Sequence, residues 1–198
     1  MPAASRKTTA TKATKATKAT KAGSASKRPV SSRRSSSAGT DALALLRADH
    51  KHVSALFEQY EKARAATRRK ALVDEICSEL RLHAQVEEEI FYPAAKAALK
   101  DRELVPEALV EHASLKALIG QIEGQAPEGE VFDAKVKVLS EYVKHHVKEE
   151  QNEMFPKVRA SRLDLVELGQ RLAARKEELK GGAAIADVER TQPVGVEA

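Results

Sequence analysis

One pattern, made of a histidine, a glutamate, an aromatic residue and a proline, occurs twice in this chain and limits how it can fold. The two copies occupy residues 83–93 and 146–156. In each copy a glutamate follows the histidine by four residues, and an apolar residue, an aromatic residue and a proline follow it by eight, nine and ten. A lone histidine precedes each copy, His50 by 33 residues and His112 by 34. The pattern therefore predicts two hairpins of one design.

The composition around this repeat favours helices. Hydrophobic residues make up 42% of the chain and aromatic residues only 4%, with no tryptophan, whereas strands prefer β-branched and aromatic side chains. Apolar residues recur at helical spacing after a capping Thr40-Asp41. The spacing predicts helices over 41–65, 68–98, 103–123, 130–158 and 161–180, with a kink near Pro93 in the second and an end at Gly181-Gly182 for the fifth. Short linkers imply antiparallel neighbours, so we expect an all-α protein whose first four helices form an up-down-up-down bundle.

The charge of the chain is unevenly distributed. Residues 1–39 contain ten lysines and arginines and no acidic residue, and residues 11–22 repeat the triplet Thr-Lys-Ala. With almost nothing apolar to bury, this segment is predicted to be a disordered basic tail, and it resembles the Lys/Ala/Thr-rich tails of linker histones and histone-like bacterial proteins. Residues 40–160 are predicted to form the bundle, and 161–198 a short C-terminal helix with a loose end.

The same segment leaves several functional interpretations open. Ten positive charges can bind DNA phosphates without reading sequence, or they can simply keep the protein in solution. An organelle transit peptide is a further, less favoured interpretation. No apolar run approaches the roughly 20 residues that cross a bilayer, so no membrane helix is predicted. We expect a cytoplasmic protein, associated with the nucleoid if the tail binds DNA; the oligomeric state is not specified. The one cysteine, Cys77, is predicted to be a buried thiol.

The four histidines of the repeat lie on the apolar faces of their helices. Residues three, four and seven apart share a helix face. By this rule the neighbours are Leu43, Leu46, Val53 and Phe57 for His50; Ile76, Leu80 and Ile90 for His83; Val105, Leu109, Leu115 and Ile119 for His112; and Leu139, Tyr142 and Val143 for His146. Glu87 and Glu150 follow one turn later on nearly the same line. The sequence therefore predicts four imidazoles and two carboxylates inside a hydrophobic core.

Burying these six groups requires compensation. A buried polar group without a partner costs a few kcal/mol, so six of them would exceed the roughly 5–15 kcal/mol stability of a whole domain. Imidazole and carboxylate donors in a helical bundle suit iron, ahead of manganese or zinc. If each glutamate and an oxo or hydroxo group bridge two ions, and each histidine binds one, each iron has five bonds and one open position. That position would accept a diatomic ligand or peroxide.

Simpler interpretations exist for each residue taken alone. A lone histidine on an apolar face is usually a satisfied core residue, and a single His–Glu pair at i,i+4 is usually a surface pair. The coincidence of four such cases in a repeat favours the metal site. Two further histidines, His52 and His145, lie off the apolar stripes and are predicted at the surface. Glu88, Glu89, Glu149 and Glu153 are predicted to be mostly solvated, although one could approach the metal site.

At this point the pattern resembles the hemerythrin-like, or HHE cation-binding, family over residues 41–158. The histidines and glutamates of the repeat correspond position by position to the family's ligand set: His50, His83, Glu87, His112, His146 and Glu150. The resemblance implies a non-heme di-iron centre in which each glutamate bridges the two ions. Family members act on O2, H2O2, NO or iron itself, so a sensor, a scavenger and a low-rate enzyme are all consistent with the residues. A DNA-associated protein with a structural bundle is the alternative.

The sequence departs from the oxygen-carrying hemerythrins at two positions. They have a further histidine where this chain has Lys116, and an aspartate where it has Gln151. A four-histidine site opens both ions to ligands, which favours the bacterial members associated with peroxide, NO or iron sensing over reversible oxygen carriage. Glu79, one turn before His83, could orient an imidazole, and Tyr142 could line the open positions; ordinary core and rim packing is the alternative for both.

Overall fold

The computed structural model describes residues 40–100 and 102–191, with side chains described as far as Gly182. All regular structure in these residues is helical. In chain order the elements are α1 (Ala42–Lys62), α2 (Ala66–Val86), π1 (Glu87–Phe91), α3 (Tyr92–Leu99), α4 (Leu104–Glu123), α5 (Glu130–Glu149), π2 (Glu150–Met154), α6 (Phe155–Ala160) and α7 (Leu165–Thr191). The predicted all-α class is confirmed. The predictions for residues 1–39 and 192–198 lie outside the described residues.

The helices follow the sequence signals. The Asp41 carboxylate caps α1 by accepting a hydrogen bond from the backbone N–H of Ala44 at 2.8 Å. The predicted second and fourth helices each consist of three consecutive segments, α2-π1-α3 and α5-π2-α6, that continue without a break. Two adjacent glycines were predicted to end the last helix, but α7 continues through them to Thr191. Glycine lowers helix stability by about 1 kcal/mol without removing a backbone donor, so it does not by itself stop a helix.

Two widened helical turns replace the kink predicted near Pro93. In π1 the backbone N–H of Tyr92 donates to the carbonyl of Glu87, and in π2 that of Phe155 donates to the carbonyl of Glu150. A proline stands two residues after the end of each turn. Because its ring lacks an N–H and crowds the carbonyl four residues earlier, the i→i−5 pattern relieves the conflict. Each wide turn begins at the glutamate of the repeat. The glutamate and the aromatic residue five positions later consequently share one face.

The six polar residues of the repeat divide the hydrophobic core into two clusters. On one side are Val53, Leu80, Leu115 and Val143 with their neighbours, and Cys77 is buried among them as predicted. The other side is a cluster that includes Leu43, Leu46, Phe91, Tyr92, Val105, Met154 and Phe155. Along each of the four long helices the histidine falls between residues of the first and the second cluster. The site is therefore sealed by apolar packing on both sides.

The C-terminal helix α7 packs on α1, α2 and π1, and its Leu168 and Leu172 complete the second cluster. Gly169 makes this approach possible, because a Cβ there would lie 2.3 Å from the carbonyl oxygen of Thr40 and 2.8 Å from the backbone nitrogen of Ala42. Within the described residues, no helix combines the length and the apolar character that a bilayer crossing requires.

Candidate metal centre

The structure brings all six residues of the predicted ligand set together. Nε2 of His50 lies 2.9 Å from Nε2 of His83, and Nε2 of His112 lies 3.2 Å from Nε2 of His146. Each of the six residues is at most 7% exposed. The donor atoms form two groups that could each hold a metal ion, and Glu87 belongs to both. Its partners are His50, His83 and Glu150 in one group and His112 and His146 in the other.

The distances between donor atoms suit ions held in common. Glu87 Oε2 lies 3.2 Å from Nε2 of His83 and 3.5 Å from Nε2 of His112, so one carboxylate oxygen faces both groups. Glu150 Oε2 lies 3.3 Å from Nε2 of His50. Two donors that bind one ion at about 2.1 Å and at a right angle are about 3.0 Å apart. The observed separations are close to that edge length, so the cluster fits a pair of metal ions.

The buried carboxylates supply an independent test of the fit. Glu87 Oε1 and both carboxylate oxygens of Glu150 are buried without a hydrogen-bond donor among the described residues. His50 and Glu150 are close enough for an ion pair, but the angles between them are not those of a hydrogen bond. A buried acceptor that lacks a partner costs roughly 1–3 kcal/mol, and more when it is charged. A cation bound between these oxygens removes that penalty, and the donor set of nitrogen and oxygen suits iron, manganese or zinc.

Two acidic residues orient the histidines of the His-x-x-x-Glu pairs. Nδ1 of His83 faces Asp49 Oδ2 at 3.4 Å, and Nδ1 of His146 faces Glu111 Oε2 at 2.7 Å. A carboxylate accepts the hydrogen on Nδ1, which leaves the lone pair on Nε2 directed at the cluster. Both acidic residues stand immediately before a lone histidine of the repeat. The pairs Asp49-His50 and Glu111-His112 are therefore a sequence signal for these contacts, which were not predicted.

The lone histidines are oriented from the opposite hairpin. Nδ1 of His112 lies 3.0 Å from Glu88 Oε1, and Nδ1 of His50 lies 2.9 Å from the side-chain amide of Gln151. Each of these partners follows a glutamate of the repeat directly. The amide faces His50 through Nε2, and rotating it by 180° presents Oε1 as the acceptor instead. All four imidazoles thus present Nε2 inward and have a partner on Nδ1.

The predictions for Glu79 and Tyr142 are wrong. Glu79 lies 3.8 Å from Nζ of Lys180, and the carboxylate that faces His83 belongs to Asp49 instead. Tyr142 is 49% exposed and is absent from the pocket that the four histidines line. Leu109 is also 41% exposed, because it sits at the edge of the predicted apolar stripe. The expected surface positions of His52 and His145 agree with exposures of 51% and 62%.

Two lysines stand behind the acidic partners. The Lys176 ammonium of α7 donates to Asp49 Oδ1 at 2.6 Å, and the Lys116 ammonium donates to both oxygens of Glu88 at 2.8 Å. Burial alone would raise the pKa of Asp49, but its bonds to His83 and Lys176 outweigh burial and lower it. Chains of the form lysine, carboxylate, imidazole therefore reach the cluster from α7 and from α4.

Burial also sets the charge of the metal-free cluster. It lowers the pKa of His83 and lowers that of His112 to about 4, so both imidazoles are neutral and have a free lone pair at pH 7. Burial and the neighbouring Glu150 raise the pKa of Glu87 well above its usual value. For Glu150 burial acts in the same direction, but contact with His50 outweighs it and lowers the pKa. The pKa values of these two buried carboxyl groups are therefore displaced in opposite directions.

A buried phenol at the cluster was not predicted as a site residue. The Tyr92 hydroxyl lies 3.2 Å from Nε2 of His112 and 3.5 Å from Glu87 Oε2. The π1 turn places it there, because residues five apart share a face in such a turn. Its counterpart in the second copy of the repeat is Phe155, which stacks on His50 at 6.0 Å between ring centroids. Only one half of the site thus has a hydroxyl at this position.

An enclosed, apolar pocket adjoins the histidines. All four imidazoles line it together with side chains such as Val53, Leu115 and Val143, and Lys116 stands at its edge. The pocket has room for roughly one or two water-sized molecules. A molecule that reaches the cluster from this side must therefore be very small, and an uncharged one is favoured by the apolar wall.

Comparison with known proteins agrees with this geometry. The profile of the Hemerythrin HHE cation binding domain matches residues 41–158, the segment that contains all six donors. A crystal structure of a Hemerythrin HHE cation binding domain-containing protein from Mycobacterium kansasii, a homolog of Rv2633c, is similar with a TM-score of 0.65 and 27% identity. That similarity covers 77% of this chain and 94% of the other.

Two curated proteins are similar at a comparable level of identity. The uncharacterized protein Rv2633c of Mycobacterium tuberculosis is 28% identical over 116 residues, which are 57% of this chain and 70% of that protein. A DNA nickase of Nostoc sp. is 27% identical over 115 residues. That match covers 58% of this chain but only 32% of the nickase, so most of the nickase has no counterpart here.

Proposed function

This chain belongs to the Hemerythrin HHE cation-binding domain family, and from that premise we propose that it is a non-heme di-iron protein that binds or reacts with O2, H2O2 or NO. The observation that carries the proposal is the set of three buried carboxylate oxygens without a hydrogen-bond partner among the described residues, beside four imidazoles whose Nε2 atoms converge. Sensing, scavenging and iron handling are the roles consistent with such a site, in an up-down-up-down bundle.

The six donors divide naturally between two ions. His50 and His83 would hold one ion and His112 and His146 the other, since these are the pairs with neighbouring Nε2 atoms. Glu87 belongs to both donor groups and would bridge the ions; Glu150 would do so by the two-fold character of the repeat. Four protein bonds per ion leave coordination positions for a small ligand. Iron bound there supplies redox chemistry and Lewis acidity that the side chains lack.

The protein's own residues define what such a centre can act on. The apolar pocket beside the histidines excludes bulky or charged substrates and keeps bulk water away. The Tyr92 hydroxyl, within hydrogen-bond reach of His112, can donate a proton to a ligand bound in its half of the site. Carboxylates hold three of the imidazoles in one orientation, and the Gln151 amide holds that of His50. Small diatomic molecules and peroxide meet these conditions.

Metal analysis and an absorption spectrum test the proposal directly. Protein purified in air should contain about two irons per chain and absorb in the near-ultraviolet and visible range, with a change on adding peroxide. His50→Ala should lower the iron content, whereas His52→Ala, two positions away and exposed, should leave it at the wild-type value. Colourless wild-type protein that folds normally without metal would defeat the proposal.

A second candidate function rests on the basic segment. We propose that residues 1–39, with ten lysines and arginines and no acidic residue, bind DNA without sequence preference in a cytoplasmic, nucleoid-associated protein. One relative carries the name DNA nickase, although the match covers 32% of it. Neutralising several phosphates makes affinity fall steeply with salt, by about 10³-fold between 50 and 200 mM for six or more contacts. DNA affinity that is unchanged by added salt, or by deleting residues 1–39, would rule out this role.

A further inference from the structure

A second cluster of potential cation ligands lies at the surface beside the buried one. Glu111, His145 and Glu149 each place a donor atom within 4.8 Å of the other two. Nε2 of His145 lies 3.1 Å from Glu149 Oε1 and 3.6 Å from Glu111 Oε1. The imidazole is 62% exposed, so the cluster is open to solvent. One imidazole with two carboxylates is a donor set that first-row divalent cations accept.

Glu111 connects this surface cluster to the buried one. Its Oε2 accepts a hydrogen bond from Nδ1 of His146 at 2.7 Å, while its Oε1 faces His145. His145 and His146 are consecutive residues of α5, one directed outward and the other into the core. A cation held at the surface cluster is thus separated from the buried donors by a single layer of side chains.

A narrow cleft between α4 and the end of α5 joins the two clusters. Glu107, Glu111 and Glu149 line its exposed part, and His146 and Glu150 line its buried part. Glu150 is 2% exposed, and neither of its carboxylate oxygens has a hydrogen-bond donor among the described residues. The cleft has room for about one water-sized sphere. It therefore leads from three surface carboxylates to an unpartnered buried carboxylate and admits only something very small.

We propose that this cleft is the route by which Fe2+ enters the protein, and that Glu111, His145 and Glu149 form its first binding site. The inference rests on the proposed di-iron function. Carboxylates lining a cleft raise the local cation concentration and the association rate. The apolar pocket on the histidine side is less suited to the same task, because its wall is largely apolar and the carboxylate that lines it, Asp49, is already bound to Lys176 and His83. Cations and neutral ligands thus reach the site from different sides.

Iron uptake by the full-length, iron-free chain tests this route. The probe is Fe2+ alone, added anaerobically at micromolar concentration, with bound iron counted over time and folding followed by circular dichroism. The test variant is H145A/E149Q, which spares Glu111 because that residue also orients His146. The control is H52A/E75Q, which removes another exposed His–Glu pair, separated by 3.9 Å, on α1 and α2.

The expected result is slower loading with an unchanged end point. H145A/E149Q should take up Fe2+ about tenfold more slowly than wild type, in the range of rate enhancements that charged clefts give, and still reach two irons per chain. It should also reach two irons at once when refolded in the presence of Fe2+, because refolding bypasses the cleft. H52A/E75Q should load at the wild-type rate.

The possible failures separate the two proposals. If H145A/E149Q loads as fast as wild type, or both double variants slow loading equally, the cleft is not the route, and the di-iron function is untouched. If the iron-free chain is unfolded and all variants load alike as they fold, the cleft is again excluded. If wild type binds no iron under any condition, the di-iron function itself fails.

Discussion

Substituting Gly169 with alanine tests whether α7 is a tightly docked part of the protein. A Cβ at this position would lie 2.3 Å from the carbonyl oxygen of Thr40, where ordinary contact begins near 3.4 Å. The nearest atoms to this Cβ are backbone atoms of residues 40–42, at the start of α1, so none of them can rotate away. The helix must instead retreat by about 1 Å, which loosens Leu168 and Leu172 in the second core cluster.

Two opposing effects determine how much Gly169→Ala changes the free energy of unfolding. Alanine stabilises a helix over glycine by about 1 kcal/mol, and overpacking of this kind costs about 1–3 kcal/mol, occasionally more. We expect a net loss of about 1–2 kcal/mol for Gly169→Ala, because the shortfall in space is large. Gly120→Ala is the matched control: it lies in α4, is exposed, and a Cβ there meets nothing within 4 Å. Helix propensity alone should then stabilise the protein by about 0.5–1 kcal/mol.

Urea denaturation followed by circular dichroism measures both variants against wild type. The two should shift the midpoint in opposite directions, and their free energies of unfolding should differ by roughly 1.5–3 kcal/mol. In a domain of this size 1 kcal/mol corresponds to about 2–4 °C in Tm. If Gly169→Ala unfolds at the wild-type midpoint or above it, α7 does not pack on α1 as described. The chain from Lys176 to Asp49 and His83 would then lose its structural basis.

Three further predictions follow from buried groups. Lys176→Met should destabilise the protein by about 2–3 kcal/mol, because it leaves the Asp49 charge without its ammonium partner. Adding Asp49→Asn should recover part of this loss, as measured by urea denaturation. A stability of Lys176→Met within about 0.5 kcal/mol of wild type would contradict this prediction. Burial raises the pKa of Cys77 to about 12, so at pH 8 about one thiol in 10⁴ is ionised, against about one in four for an ordinary cysteine. Iodoacetamide should therefore label Cys77 only after unfolding, and rapid labelling of folded protein would argue against its burial. Tyr92→Phe should retain two irons but consume peroxide about tenfold more slowly, or slower still. Tyr142→Phe, at an exposed position, should consume peroxide at the wild-type rate. Equal rates for both variants would show that Tyr92 takes no part in the reaction.

The sequence predicted the helices and the convergence of the six donors because both depend on local spacing. An apolar stripe with a histidine in its middle can face only the core, and four such stripes must meet there. The π turns were not predicted, because they depend on which backbone carbonyl an N–H selects before a proline. Their consequence, a Tyr92 hydroxyl directed at the cluster, was missed with them.

Contacts between helices were predicted poorly. Glu79 was expected to orient His83 because it lies one turn away on the same helix, but the partner, Asp49, lies on α1. Which acidic residue meets an imidazole depends on the rotation and axial offset of two helices, and the pattern of one helix contains neither quantity. The same applies to Lys176, which reaches Asp49 from α7, a helix outside the family match at residues 41–158.

The exchange of orienting groups between the hairpins has a consequence for how the two halves can diverge. The first hairpin orients one of its own imidazoles through Asp49 and one of the other hairpin's through Glu88. The second hairpin does the same through Glu111 and Gln151. Two identical hairpins could supply all four of these contacts to Nδ1, so this arrangement does not require the two hairpins to differ. Where they do differ, with an amide facing one lone histidine and a carboxylate facing the other, the two coordination pockets acquire unequal basicity. A centre assembled from duplicated parts thereby becomes asymmetric, and the two ions proposed to bind there would differ in reactivity.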